Sequence, residues 1–86
     1  MTFTVLWTPR AERDLTSIWT SAKDRTAVSS AANGLDALLR SEPQNKGESR
    51  FGTVRVVFVP PLGIDLQVME KDRKVYVLRV WRTDRR

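Results

Sequence analysis

The run Val54-Arg55-Val56-Val57-Phe58-Val59-Pro60-Pro61-Leu62-Gly63-Ile64-Asp65-Leu66-Gln67-Val68-Met69 decides the fold. Two alternating stretches flank a Pro-Pro-Leu-Gly turn, the pattern of a β-hairpin. A second turn centred on Lys71-Asp72-Arg73 leads into Val75-Tyr76-Val77-Leu78-Arg79-Val80-Trp81, which alternates again. Three such runs predict an antiparallel meander. Val54, Val56 and Phe58 share one side of the first run, Ile64, Leu66 and Val68 one side of the second, and Tyr76, Leu78 and Val80 one side of the third. Pairing Val68 with Tyr76, Leu66 with Leu78 and Ile64 with Val80 gives a uniformly apolar inner face, with Tyr76 in the core. The same register sets Asp65 across from Arg79 and Arg55 near Gln67, so Arg55, Asp65, Gln67, Arg79 and Trp81 are expected together on the outer face.

Upstream, Phe3, Val5 and Trp7 alternate with threonines and Leu6, the period of a half-buried strand. Thr8-Pro9 then starts a helix, because a Thr hydroxyl caps free N–H groups and Pro at the first position loses no hydrogen bond. Ala11, Leu15, Ile18, Trp19 and Ala22 line one stripe, opposite Arg10, Arg13, Asp14 and Ser17. Asp24 is the expected cap of a second helix with Val28, Ala31, Leu35, Leu38 and Leu39 on its apolar side, ended by Pro43. The short link Lys23-Asp24-Arg25 makes the pair an antiparallel hairpin. Ser41 to Arg50 is polar and aperiodic, and reads as a loop. The predicted fold class is therefore α+β: an N-terminal strand and an antiparallel two-helix hairpin packed on a C-terminal antiparallel β-meander, in the order β-α-α-β-β-β, as one domain over residues 1–86.

Length and composition agree with one small core: 86 residues, 41% of them hydrophobic, with three Trp. The chain has no Cys and no His, which excludes disulfides, thiolate and imidazole metal ligands and a His base. No metal site or cofactor is expected, and no Gly-rich phosphate loop or nucleophile elbow is present. No apolar run approaches the roughly 20 residues that cross a bilayer, and Met1 to Val5 lacks the start of a signal peptide, so no membrane association and a cytoplasmic location are expected. The net charge of +5 is local. Lys71, Arg73, Lys74, Arg79, Arg82, Arg85 and Arg86 face only Asp72 and Asp84 over the last stretch, an asymmetry that fits nucleic acid, an acidic protein or a solubilising tail.

Chemistry is expected in three places. The outer sheet face offers two guanidiniums, a carboxylate, an amide and an indole, which can clamp phosphates and stack on bases or serve only as a solvated face. In the loop, Glu48 between Lys46 and Arg50 is a carboxylate beside two cations, able to act as a base near a phosphate. Trp81, followed by Arg82 and Arg85, is a candidate for stacking or for a protein hot spot.

Trp7-Thr8-Pro9-Arg10-Ala11-Glu12-Arg13-Asp14-Leu15, a helical hairpin and a meander ending in Val75-Tyr76-Val77-Leu78-Arg79-Val80-Trp81 together resemble the RelE/ParE superfamily, the toxins of type II toxin–antitoxin systems. The resemblance covers nearly the whole chain. It implies a growth-inhibiting toxin neutralised by a cognate antitoxin, expected in the first place to inhibit translation by ribosome-dependent, metal-independent cleavage of messenger RNA (an mRNA interferase), with binding of DNA gyrase as the alternative. For cleavage it implies Arg55 and Arg82 as catalytic residues with Glu48 as the base, and Lys46, Arg50, Arg79, Trp81 and Arg85 as nucleic-acid contacts. Gly63-Ile64-Asp65-Leu66 stands where RelE-type members usually have an aromatic-Arg-aliphatic motif, and the late Tyr is missing. These departures favour the gyrase-binding alternative or a degenerate member that binds only its antitoxin.

Overall fold

The computed structural model describes residues 2–41, 48–51 and 54–84, the middle segment by its backbone alone. Strand β1 (Thr4–Trp7) runs into helix α1 (Pro9–Ser21), followed by α2 (Arg25–Arg40), β2 (Glu48–Phe51), β3 (Val54–Val59), β4 (Leu62–Met69) and β5 (Lys74–Arg82). The five strands form one sheet in the order β1-β5-β4-β3-β2. β3 to β5 make the expected antiparallel meander, whereas β1 runs parallel to β5, from Thr4 opposite Lys74 to Trp7 opposite Val77. The predicted architecture stands with one correction. Glu48 to Arg50, read as part of a loop, pair together with Phe51 along β3 as an added edge strand.

Thr8 starts α1 as its sequence implied, accepting the Ala11 N–H on Oγ1 at 3.2 Å. The hydroxyl also donates to the Val77 carbonyl at 2.8 Å, and the Thr8 N–H reaches the same oxygen at 3.1 Å. Beyond Trp7, β5 has no neighbouring strand on this side, so its backbone groups need other partners. Thr8 supplies one, and Asp14 another: its Oδ2 accepts the Val80 N–H at 3.1 Å. α1 thus continues the sheet edge that β1 leaves unfinished. Asp24 does not cap α2 with its side chain, which is held by Arg82 instead. Trp19, placed in the apolar stripe by spacing, is 43% exposed, under the guanidinium of Arg25 at 4.5 Å.

The core joins Phe3, Ala11, Val28, Ala31, Leu35 and Leu39 from the first half to Val57, Leu62, Ile64, Leu66, Val68, Val75, Val77 and Val80 of the sheet. The register that produces it differs from the predicted one in two places. Pro60 and Pro61 alone form the β3–β4 turn, so Val59 pairs with Leu62, Val57 with Ile64 and Arg55 with Leu66. Directly opposed residues share a face. Val57, Val59 and Arg55 therefore stand on the helix side with Ile64 and Leu66, and Val54, Val56 and Phe58 on the other. In β5, Asp65 faces Arg79 as expected, but Leu66 then faces Val77, leaving Leu78 as an extra residue. Such a bulge reverses the alternation. Val75 and Val77 fill the core, and Tyr76 lies outward opposite Gln67, a correction to the expected buried Tyr.

Thr8 carries both the α1 cap and the tie to β5, so Thr8→Ala should cost about 1–2 kcal/mol and Thr8→Ser much less. Urea denaturation of the two variants checks this. Equal losses would show that the hydroxyl contributes nothing.

Candidate functional site

The outward side of the sheet carries Phe58 from β3, Gly63, Asp65 and Gln67 from β4, and Tyr76, Arg79 and Trp81 from β5. Trp81 meets Phe58 edge-on with ring centroids 6.2 Å apart, a favoured aromatic arrangement. Gly63 makes the arrangement possible, since a Cβ there would lie 2.9 Å from the Trp81 indole and 3.0 Å from Phe58. Arg79 stacks over Trp81 at 5.3 Å, and its Nε donates to Asp65 Oδ2 at 2.8 Å. Asp65 is nearly buried, so its charge has to be paired, and Arg79 is one of its partners. Because α1 lies alongside the end of β5, Arg10 and Asp14 join Arg79, Val80 and Trp81 around one cleft. Arg10 Nε lies 3.9 Å from Asp14.

The other expected residues are not brought to this place. Arg82 pairs with Leu62 and stands on the helix side, where its guanidinium makes four donor contacts of 2.9 Å, two to Asp24 and two to Asp84. These hydrogen bonds hold both carboxyls below the ordinary carboxylate value and push the Arg82 guanidinium up from its own. Arg55 also stands on the helix side, near neither Asp65's face nor Arg82. The row through Arg55 and Leu66 is four residues along β4 from the row through Leu62 and Arg82, roughly 13 Å, and their strands are two apart, roughly 9–10 Å. The expectation that Arg55, Asp65 and Arg79 share the outer surface is therefore corrected: Asp65 and Arg79 do, Arg55 does not. Glu48 pairs through its backbone with Val56, and Arg50 falls at a register shift between Ser49 and Phe51. Lys46 and Arg85 lie outside the described residues.

The described residues of the basic C-terminal stretch are dispersed as well. Lys71, Arg73 and Lys74 sit at the β4–β5 turn, roughly 26 Å of strand from Arg82, with Arg73 over the Phe3 ring at 5.6 Å. Sequence reasoning missed Phe58, Gly63 and Arg10. The signal for the first two was Leu62, which a two-residue Pro-Pro turn places in the strand. Nothing local marked Arg10, whose place depends on where α1 meets β5. Among the described residues no cluster of His, Cys, Asp and Glu could hold a metal ion, and no helix is long and apolar enough to cross a membrane.

A family model described as the ParE toxin of type II toxin–antitoxin systems, parDE, matches residues 5–86. No curated protein matches the chain significantly. Among solved structures, the RelBE2 toxin–antitoxin complex from Mycobacterium tuberculosis is similar with a TM-score of 0.79 at 19% identity, covering 98% of this chain and 95% of that one. The chromosomal ParDE system from P. aeruginosa gives 0.74 at 20% identity, covering 96% and 98%. A mutant of the E. coli toxin RelE in the free state gives 0.68 at 16% identity, covering 98% and 86%. At these identities the likeness is one of fold.

Two measurements test the site's geometry. Gly63→Ala should displace the indole, cost about 1–3 kcal/mol and shift Trp81 fluorescence to the red. An unchanged spectrum would show that Trp81 does not rest on Gly63. The carboxyl carbons of Asp24 and Asp84 should titrate below 3.8 in the folded chain and return towards it in Arg82→Gln. Their folded values are lowered, so the stability these pairs add is present above the unfolded carboxylate value and is lost as pH falls through the folded one. Arg82→Gln should therefore weaken the fold at pH 7 and matter little near pH 2.

Proposed function

The chain belongs to the family of ParE toxins of type II toxin–antitoxin systems, and from that premise we propose that it arrests growth by gripping a protein target, DNA gyrase, and not by cutting messenger RNA. The observation that carries the proposal is the separation of the candidate nuclease residues. Cleavage through a 2′-hydroxyl needs a base, charge neutralisation and a proton donor around one phosphate. Arg55 and Arg82 occupy different rows and strands on the side of the sheet that faces the helices, and Arg82 is already engaged by two carboxylates. A guanidinium with four of its five N–H groups in ion pairs has little left for a phosphate. The departures in Gly63-Ile64-Asp65-Leu66 and the absent late Tyr point the same way. Solved relatives of the fold are toxin–antitoxin complexes, which supports a cognate antitoxin as the second partner.

A pulse of expression, followed by mapping of messenger RNA ends and of plasmid supercoiling, decides between the two actions. Gyrase-trapped DNA breaks without codon-phased cuts are expected, with Arg55→Ala as toxic as the parent. Codon-phased cuts that fall about a hundredfold in Arg55→Ala would contradict the proposal.

A further inference from the structure

The run Val75-Tyr76-Val77-Leu78 has a large apolar or aromatic side chain at every position, so either alternate pair can face the helices. In the structure Val75 and Val77 do so and are fully buried, while Tyr76 and Leu78 are half-buried and Tyr76 points outward opposite Gln67. The bulge selects this pair: Asp65 faces Arg79, Leu66 faces Val77, and Leu78 is the surplus residue. With the surplus residue moved out of the strand and into the β4–β5 turn, Leu66 would pair with Leu78, Gln67 with Val77 and Val68 with Tyr76. Tyr76 and Leu78 would then turn inward, and Val75 and Val77 outward.

The chain is prepared for such a slip at both ends. Downstream, β5 is fixed, with Arg79 held by Asp65 at 2.8 Å, the Val80 N–H by Asp14 at 3.1 Å and Trp81 resting on Gly63. Upstream, the turn closes tightly: Glu70 to Asp72 form one 3-10 turn, and Arg73 follows at φ 54° and ψ 44°, a left-handed conformation that an L side chain seldom adopts. An added residue there would let Arg73 leave it. Between the two ends, Thr8 Oγ1 lies 2.8 Å from the Val77 carbonyl oxygen and 3.4 Å from that of Leu78, so the tie of α1 to β5 can pass from one carbonyl to the next. Against the slip stand the greater volume of Tyr76 in the place of Val75 and the burial of its hydroxyl. The bulged register is therefore the ground state.

We propose that residues 74–78 exchange between two registers, the bulged one and a second in which the surplus residue lies in the turn, as a conformational device built into the sheet. The second is a minor state of roughly 0.1–10%. It withdraws Tyr76 from the outward face, puts Val77 opposite Gln67 and shifts the partners of β1 by one, so that the Thr4 N–H passes from the Arg73 carbonyl to that of Lys74. A ligand that touches Tyr76 on the outward face holds the bulged register, and the start of α1 is coupled to that choice through Thr8. Arg55, Arg79 and Trp81 keep their places in both registers, so the proposed function does not depend on this inference.

Amide relaxation dispersion on the full chain, with Tyr76→Lys, Tyr76→Phe and Arg73→Gly beside the parent, tests the exchange. The parent should show one common microsecond-to-millisecond process over residues 4–8 and 66–78 that is absent from Leu62 to Ile64. Tyr76→Lys should abolish it, because an ammonium cannot take the buried place. Tyr76→Phe should raise the minor population roughly fivefold, because no hydroxyl is then buried. Arg73→Gly relieves the left-handed residue in the bulged register and should lower that population about two- to fivefold. A parent without dispersion, dispersion confined to residues 70–73, or a process that persists in Tyr76→Lys would overturn the proposal. So would a rise in Arg73→Gly, the mark of a merely mobile turn.

Discussion

Two backbone features, a two-residue turn and a one-residue bulge, determine which way every side chain of the meander points. The Pro60-Pro61 turn joins Val59 directly to Leu62, and the extra Leu78 inverts the alternation of β5 between Val77 and Val80. Side chains in a strand have a period of two, so each feature changes a whole set of residues from one face to the other. Together they give the helices an apolar surface of Val57, Leu62, Ile64, Leu66, Val75, Val77 and Val80, and leave Phe58, Arg79 and Trp81 outside.

The two faces then have different duties. On the helix side the arginine is tied down: Arg82 bridges Asp24, in the link between α1 and α2, and Asp84, just after β5. This joins the start of α2 to the last strand. At the edge of β5, Thr8 and Asp14 take backbone groups that β1 ends too early to reach. On the outward side Arg79 donates through Nε to Asp65 and lies on an aromatic ring.

Much of the fold was legible in the sequence because it depends on local signals. Thr8-Pro9 marked the start of α1, and the alternation of Phe3, Val5 and Trp7 marked β1. The Asp65–Arg79 pair was legible because burying a charge on either strand is costly enough to fix their register. Arg55 was misplaced because Val54, Val56 and Phe58 were read as the inner side of β3, which requires a turn with an odd number of residues where Pro60-Pro61 supplies two, and a bulge has no sequence mark in a run as uniform as Val75-Tyr76-Val77-Leu78. The strand at Glu48 escaped notice because its polar residues have no period and it gains its order by pairing with β3. The candidate site was legible in part, as Arg79 and Trp81. Phe58 followed the error in β3, and Arg10 comes from a helix whose approach to β5 is a matter of tertiary packing.

The placement of Arg55 and Arg79 on opposite faces of the sheet supports the proposed function, and backbone nuclear Overhauser contacts across the meander measure it directly. Cross-strand contacts should pair Arg55 with Leu66, Leu66 with Val77 and Asp65 with Arg79. Contacts pairing Arg55 with Gln67 and Leu66 with Leu78 would put Arg55 on the outward face beside Arg79, gather both guanidiniums where they could clamp a phosphate, and so contradict the proposed function.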